Sequence, residues 1–192
     1  MAGASSVVVL TAERYRNYLI GRTALIMLMA GALRAGLSFD ISTRDQSLAL
    51  DAAVFIVLMA SIIGFTMIRR SQNLRNAALP QVMLDPILAG LIVFATGAEE
   101  SPLSFFFVLV VMNGTNVMGR KGAFSAAIIS IATLAVITAA IGQDGAVQWH
   151  AFSASEARSV GTHSVAFLAA AWLSATLDFQ ARAAKIELLQ LR

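Results

Sequence analysis

Hydrophobic positions along this chain fall into six long runs separated by short polar segments. They span Tyr18 to Leu37, Ser47 to Ile68, Leu79 to Ala98, Pro102 to Met118, Gly122 to Ile141, and Val160 to about Leu177. The runs are continuous and not alternating, which argues against a membrane barrel. Each is close to the roughly 20 residues that a helix needs to cross a hydrocarbon core of about 30 Å. The pattern therefore predicts an all-α, polytopic membrane protein with six transmembrane helices. The last run continues without Gly or Pro into a helix-prone tail ending at Arg192. The expected division is a segment over 1–17, a six-helix domain over 18–178 and a juxtamembrane helix over 179–192.

The polar breaks are short. Gly97-Ala98-Glu99-Glu100-Ser101-Pro102 and Gly119-Arg120-Lys121-Gly122 have turn composition, and the longest break runs from Gly142 to Arg158. None is long enough for a folded extracellular sensor domain. Pro80 is expected near the first helical position of the third run, where its missing N–H costs nothing. A basic start before an apolar stretch is also the shape of a signal peptide. The length of the first run and Arg34 beside the small residues Ala30-Gly31-Ala32 disfavour that reading.

Composition agrees with the pattern. Of 192 residues, 58% are hydrophobic and 13% charged, and the mean hydropathy is +0.75. So few charges cannot cover the surface of a water-soluble body of this size. With no cysteine, disulfides, thiolate metal sites and cysteine nucleophiles are excluded. A net charge of +3 and a pI near 10.0 would suggest nucleic acid in a soluble protein. Here the basic residues sit at the ends of apolar runs and read as topology signals. With the N-terminus in the cytoplasm, eleven of the fourteen Lys and Arg lie inside or at the inner boundary, and only Arg34, Arg44 and Arg158 lie outside. Both termini are then cytoplasmic, and a bacterial cytoplasmic membrane is the expected location.

Several polar residues fall within the runs. Asp85 in the third is a carboxylate that costs about 2.5–3.5 kcal/mol near mid-bilayer on insertion scales. It is either a proton-coupled or ligand-binding group, or half of a structural pair with Arg22. At 1.5 Å per residue both residues sit roughly 6–8 Å into the membrane from the same side. Asn113 and Asn116 share a face of the fourth run and serve as interhelical hydrogen-bond glue or bind a polar ligand. Asn113 is also at a depth where it could satisfy remaining acceptors of the pair. Arg34 and Asp51 can meet near the outer interface. His163 is a hydrogen-bonded histidine between Thr162 and Ser164, or a lone pigment ligand; with His150 in an outer segment, a bis-histidine haem within the chain does not fit. Phe105-Phe106-Phe107 reads as a stacking site or a lipid-facing aromatic belt. Asn113-Gly114-Thr115 matches a glycosylation sequon but lies inside the bilayer. No nucleotide loop, zincin motif, nucleophile elbow or DNA-binding element is present. The residues thus point to no enzyme chemistry, cofactor or nucleic acid.

In the tail, Phe179, Ala183, Ile186 and Gln190 are spaced four, three, four, the beginning of a coiled-coil seam, with Asp178 and Arg182 placed for an i,i+4 pair. Taken in order, the motifs resemble the membrane domain of PilS-type sensor histidine kinases. Tyr15-Arg16-Asn17-Tyr18-Leu19-Ile20-Gly21-Arg22 is similar to the family's opening, and Gln81-Val82-Met83-Leu84-Asp85 to its third-helix start. Thr96-Gly97-Ala98-Glu99-Glu100-Ser101-Pro102-Leu103 resembles its outer turn, with Ala98 in place of a second glycine. Gly119-Arg120-Lys121-Gly122-Ala123 resembles its inner turn. The resemblance implies a sensor input domain that signals through the sixth helix. The sequence stops at Arg192, before the family's PAS, phosphoacceptor and ATP-binding regions, so the kinase activity is not expected of these residues. Three functions follow: a non-catalytic sensor or regulatory module; an accessory subunit of a photosynthetic, respiratory or transport complex; and a small transporter with Asp85 as proton carrier. Expected partners are the lipid bilayer and, through the helices, a second copy or heteromeric membrane proteins.

Overall fold

A computed structural model describes residues 12–35, 44–70, 74–97, 101–140 and 149–190. Six α-helices occupy them: α1 (Ala12–Arg34), α2 (Arg44–Arg70), α3 (Leu74–Ala95), α4 (Phe106–Met118), α5 (Arg120–Ala140) and α6 (Ala154–Gln190). A single 3₁₀ turn, Pro102–Phe105, leads into α4. The protein is an all-α, multi-pass membrane protein. Helices α2, α3, α5 and α6 contain stretches long and apolar enough to cross a bilayer, and Leu103–Met118 is a shorter apolar helix. The first helix is less apolar because it carries Glu13, Arg14, Arg16, Arg22 and Arg34.

Successive helices alternate in direction. Tyr15, Tyr18 and Leu19 near the start of α1 pack with Ala78 and Val82 near the start of α3, and with Val117 near the end of α4. Ile68 at the end of α2 joins them. The opposite ends meet in the larger core, where Leu33, Leu50, Ala95 and Phe106 belong to one cluster. One end of the bundle thus gathers the start of α1, the end of α2, the start of α3, the end of α4 and the start of α5. Because Arg69, Arg70, Arg120 and Lys121 lie there, it is the basic end. The third helix packs against α2, α4 and α5, while α6 lies on α4 and α5.

Local chemistry sets the helix ends. The fourth helix stops at Gly119, whose φ of +66° is a left-handed conformation that only glycine adopts without strain, and its N–H returns to the Thr115 carbonyl at 2.7 Å. That turn lets α4 and α5 pack backbone to backbone: a Cβ on Gly114 would lie 2.7 Å from the Gly122 carbonyl oxygen. The sixth helix starts at a reciprocal cap, with Ser153 Oγ accepting from the Glu156 N–H and Glu156 accepting from the Ser153 N–H.

Four boundaries depart from the expectations, the first being that of α1, which starts at Ala12 and not at Tyr18. The last helix begins at Ala154 and not at Val160, because the Ser153–Glu156 cap extends it ahead of the apolar run. The third begins at Leu74, which places Pro80 inside the helix together with Pro86. Each removes a backbone donor and frees a carbonyl one turn earlier. The 3₁₀ turn uses the residues expected to open the fourth membrane helix: Ser101 Oγ accepts from the Leu103 N–H and Pro102 occupies the first position.

The tail is continuous. α6 runs for 37 residues without interruption, about 55 Å at 1.5 Å per residue, against a hydrocarbon core of about 30 Å. Phe179 and Ala183 are exposed. The side chains of Arg182, Ile186 and Gln190, and with them the expected Asp178–Arg182 pair and the rest of the seam, lie outside the described residues, as do Ala98, Glu99 and Glu100 and residues 141–148 of the longest connection.

Candidate functional site

The i,i+4 spacing of Tyr18 and Arg22 puts both on one face of α1, and the same spacing puts Gln81 and Asp85 on one face of α3. These faces meet about midway along α1 and α3, with Ser61 of α2 closing the third side. All five side chains are buried. Arg22 Nη1 donates to Asp85 Oδ1 at 3.1 Å and to Gln81 Oε1 at 2.7 Å, while Nη2 donates to Ser61 Oγ at 3.2 Å. The Tyr18 hydroxyl donates to the other carboxylate oxygen at 2.6 Å, and Gln81 Nε2 donates to the Ala60 carbonyl at 2.9 Å. The guanidinium also lies 5.4 Å from the centre of the Tyr18 ring, within range of a cation–π contact.

Donor directions in this network follow from its endpoints. Thr23 Oγ1 donates to the Leu19 carbonyl at 2.8 Å, so in its 2.6 Å contact with Ser61 it accepts. Ser61 is then free to accept from Arg22. One chain of donors runs Arg22, Ser61, Thr23, Leu19 carbonyl; the other runs Arg22, Gln81, Ala60 carbonyl. The carboxylate takes one hydrogen bond on each oxygen. In a poorly hydrated region each charge alone is costly, and the pair is tolerated because the two charges compensate each other and both carboxylate oxygens and both guanidinium Nη atoms are hydrogen-bonded. Arg22 Nε is buried and has no partner among the described residues.

The other sequence candidates are dispersed. Arg34 and Asp51 form an ion pair at the opposite end of α1 and α2, with both side chains more than half exposed. Asn113 does not reach the carboxylate: it lines, with Arg22 and Asp85, a crevice between α1, α3 and α4. Neither it nor Asn116 forms a hydrogen bond among the described residues, and Asn116 is exposed. His163 bonds not to its sequence neighbours but to the Ser159 carbonyl at 2.9 Å, one turn back, and to Ser104 at 3.2 Å. Its ring also approaches Phe167. Phe106 and Phe107 are buried against the core, leaving only Phe105 of the three exposed. The described residues contain no group of three or more His, Cys, Asp or Glu that could hold a metal ion.

Sequence reasoning missed Tyr18, Gln81, Ser61 and Thr23 as parts of the site. The signal for two of them was present, since Tyr18 and Gln81 each sit one turn from a charged residue.

The network ties α1, α2 and α3 together and exposes no reactive group. Its chemistry is that of a fixed, charge-balanced clamp beside a crevice. The family model of the PilS-like transmembrane domain matches residues 11–187, nearly the whole chain, and the chain belongs to that family. No curated protein and no solved structure matches it.

Proposed function

From this membership we propose that the protein is a non-catalytic sensor or regulatory module that transmits through α6. The observation that carries the proposal is the unbroken 37-residue α6. It packs on α4 and α5 within the bundle and is about 25 Å longer than a hydrocarbon core requires. A rigid rod joined to the bundle at one end can carry a small displacement beyond the membrane. Under the positive-inside rule the basic end faces the cytoplasm, so α6 leaves the membrane there, and both termini are cytoplasmic. In a bacterium this would be the inner membrane.

The transporter alternative fits less well. A proton carrier needs a water path, and Asp85 is buried with Arg22 and Tyr18 on its two oxygens. The accessory-subunit alternative is separated by one experiment: purification in a gentle detergent followed by mass determination. The sensor reading expects the chain alone or as a dimer. Stable recovery within a heterologous membrane complex would replace it with the subunit reading. Reporter fusions after Arg70 and Arg120 test the orientation. Both should report cytoplasm, and an external signal from either would overturn it.

A further inference from the structure

One backbone bond fixes the level of the stretch from Trp149 to Ser153, which leads into α6. The fifth helix starts with Arg120 and Lys121 at the basic end and runs for 21 residues. At 1.5 Å per residue its Ala139 carbonyl lies roughly 28 Å from that end, close to the far edge of a hydrocarbon core of about 30 Å. That carbonyl is one of the last-turn acceptors that a helix leaves open, and the His150 N–H donates to it at 3.1 Å. His150 and its neighbours are therefore held at the hydrocarbon boundary of the leaflet away from the basic end.

The side chains of this stretch divide into two sets. His150 and Ser153 bond to the first turn of α6: His150 Nε2 lies 2.8 Å from Glu156 Oε1, and Ser153 completes the reciprocal cap with the same residue. Trp149 and Phe152 stay outside, 73% and 45% exposed. An exposed indole at this depth has both surroundings that suit it, hydrocarbon for the ring and headgroups for the N–H. Apolar surface continues toward the basic end, where Val136 of α5 and Val165 of α6 are each more than half exposed. Two aromatic side chains bury about 150–250 Å² each. That is well short of the roughly 800 Å² per partner of a stable protein interface, so the surface suits lipid and not a second protein.

We propose that Trp149 and Phe152 anchor this stretch in the boundary between headgroups and acyl chains of the leaflet away from the basic end, the partner being the lipid surface itself. The bonds of His150 and Ser153 to Glu156 tie that anchorage to the first turn of α6. The contact does not depend on whether α6 transmits a signal.

The test uses the full chain in phosphatidylcholine vesicles and reads tryptophan fluorescence. The sequence has two tryptophans, so Trp172→Phe leaves Trp149 as the only indole. Phosphatidylcholine brominated high on its chains, next to the headgroup, should quench Trp149 at least about twofold more than phosphatidylcholine brominated near the chain ends. Adding Phe152→Ser should lower that quenching and raise quenching by iodide present on both sides of the membrane. Quenching by iodide with no effect of either brominated lipid would place Trp149 in water and overturn the proposal. Stronger quenching by the chain-end bromines would place it in the hydrocarbon core, and no quenching by any agent would show that protein covers it; either result also overturns the anchor. Subtracting the emission of Trp149→Phe from that of the unsubstituted chain gives the same comparison without altering Trp172, so a folding defect in one variant leaves the test intact.

Discussion

Replacing Asp85 by Asn removes the negative charge from the buried network while keeping the shape and one acceptor. Breaking a buried pair by deleting one partner costs roughly 3–5 kcal/mol in soluble proteins, because the remaining charge is stranded. Two features reduce that figure here. Arg22 keeps its bonds to Gln81 and Ser61, and the Asn carbonyl can still accept. A lone charge at the centre of a membrane helix costs about 2.5–3.5 kcal/mol on insertion scales, and less nearer the interface. The expected loss for Asp85→Asn is therefore about 2–3 kcal/mol, and a similar loss is expected for Arg22→Gln. The double substitution leaves no charge, so its cost should fall short of the sum by at least about 1 kcal/mol, within the usual range for contacting residues. The exchange Arg22→Asp with Asp85→Arg should recover part of the folded yield. Unfolding in mixed detergent micelles, followed by circular dichroism, measures each member of the cycle. A single-mutant cost below about 0.5 kcal/mol, or additivity within about 0.5 kcal/mol, would refute the pair as a structural clamp.

Other substitutions test the surrounding geometry. Tyr18→Phe removes the 2.6 Å bond to Asp85 and should cost about 1–2 kcal/mol in the same assay. Gly122→Val places a side chain against the Gly114 carbonyl, which must push α4 from α5; a loss of about 1–3 kcal/mol is expected, and an unchanged unfolding midpoint would contradict the close packing. Ser153→Ala should destabilise the first turn of α6 by about 1 kcal/mol, read as faster hydrogen exchange at Ala157, whose N–H returns to the Ser153 carbonyl. Arg34→Gln should change stability by less than about 1 kcal/mol, since water screens its exposed pair with Asp51.

The helices were legible because hydrophobic runs of membrane length can satisfy their backbone only as helices. Their ends were less so. Ser153-Ala154-Ser155-Glu156 carries the capping-box spacing, but hydropathy weighs polar residues as loop and starts the helix at Val160. Pro80 was read as a helix start for the same reason: the polar Asn76 before it hid the turn that α3 adds. Depth arithmetic could bring Arg22 and Asp85 to one level because both counts start from the basic side. It could not choose between Asn113 and Tyr18 as the carboxylate's second partner, since both lie within reach in depth. Rotation about the helix axis decides that, and Tyr18 shares the Arg22 face of α1. Ser61 carried no signal at all, because a serine among Ala60, Ile62 and Ile63 is ordinary in a membrane helix. Phe106 and Phe107 were misplaced because aromatic residues near a helix end suit a lipid belt and a core equally, and only the neighbour, here Phe167, discriminates.

The helix that separates these two settings is α4. On one face Asn113 and Phe106 wall the crevice. Two residues from Asn113, the Thr115 hydroxyl meets Ser174 of α6 at 2.8 Å in a buried contact. One turn before Val108, Ser104 meets His163 near the other end of α6. Gly114 lies against Gly122 of α5 with no room for a Cβ. The first three helices are clamped by the Arg22 network, so they form a stiff wall on the crevice's other side. A shift of that wall would therefore press on α4, and α4 has little freedom to yield into α5. The contacts that remain to be displaced are those with α6, the helix that extends past the bundle. Clamp and output would be joined through one short helix, with small hydroxyl and glycine contacts setting the spacing and no ionic link crossing between α4 and α6 among the described residues.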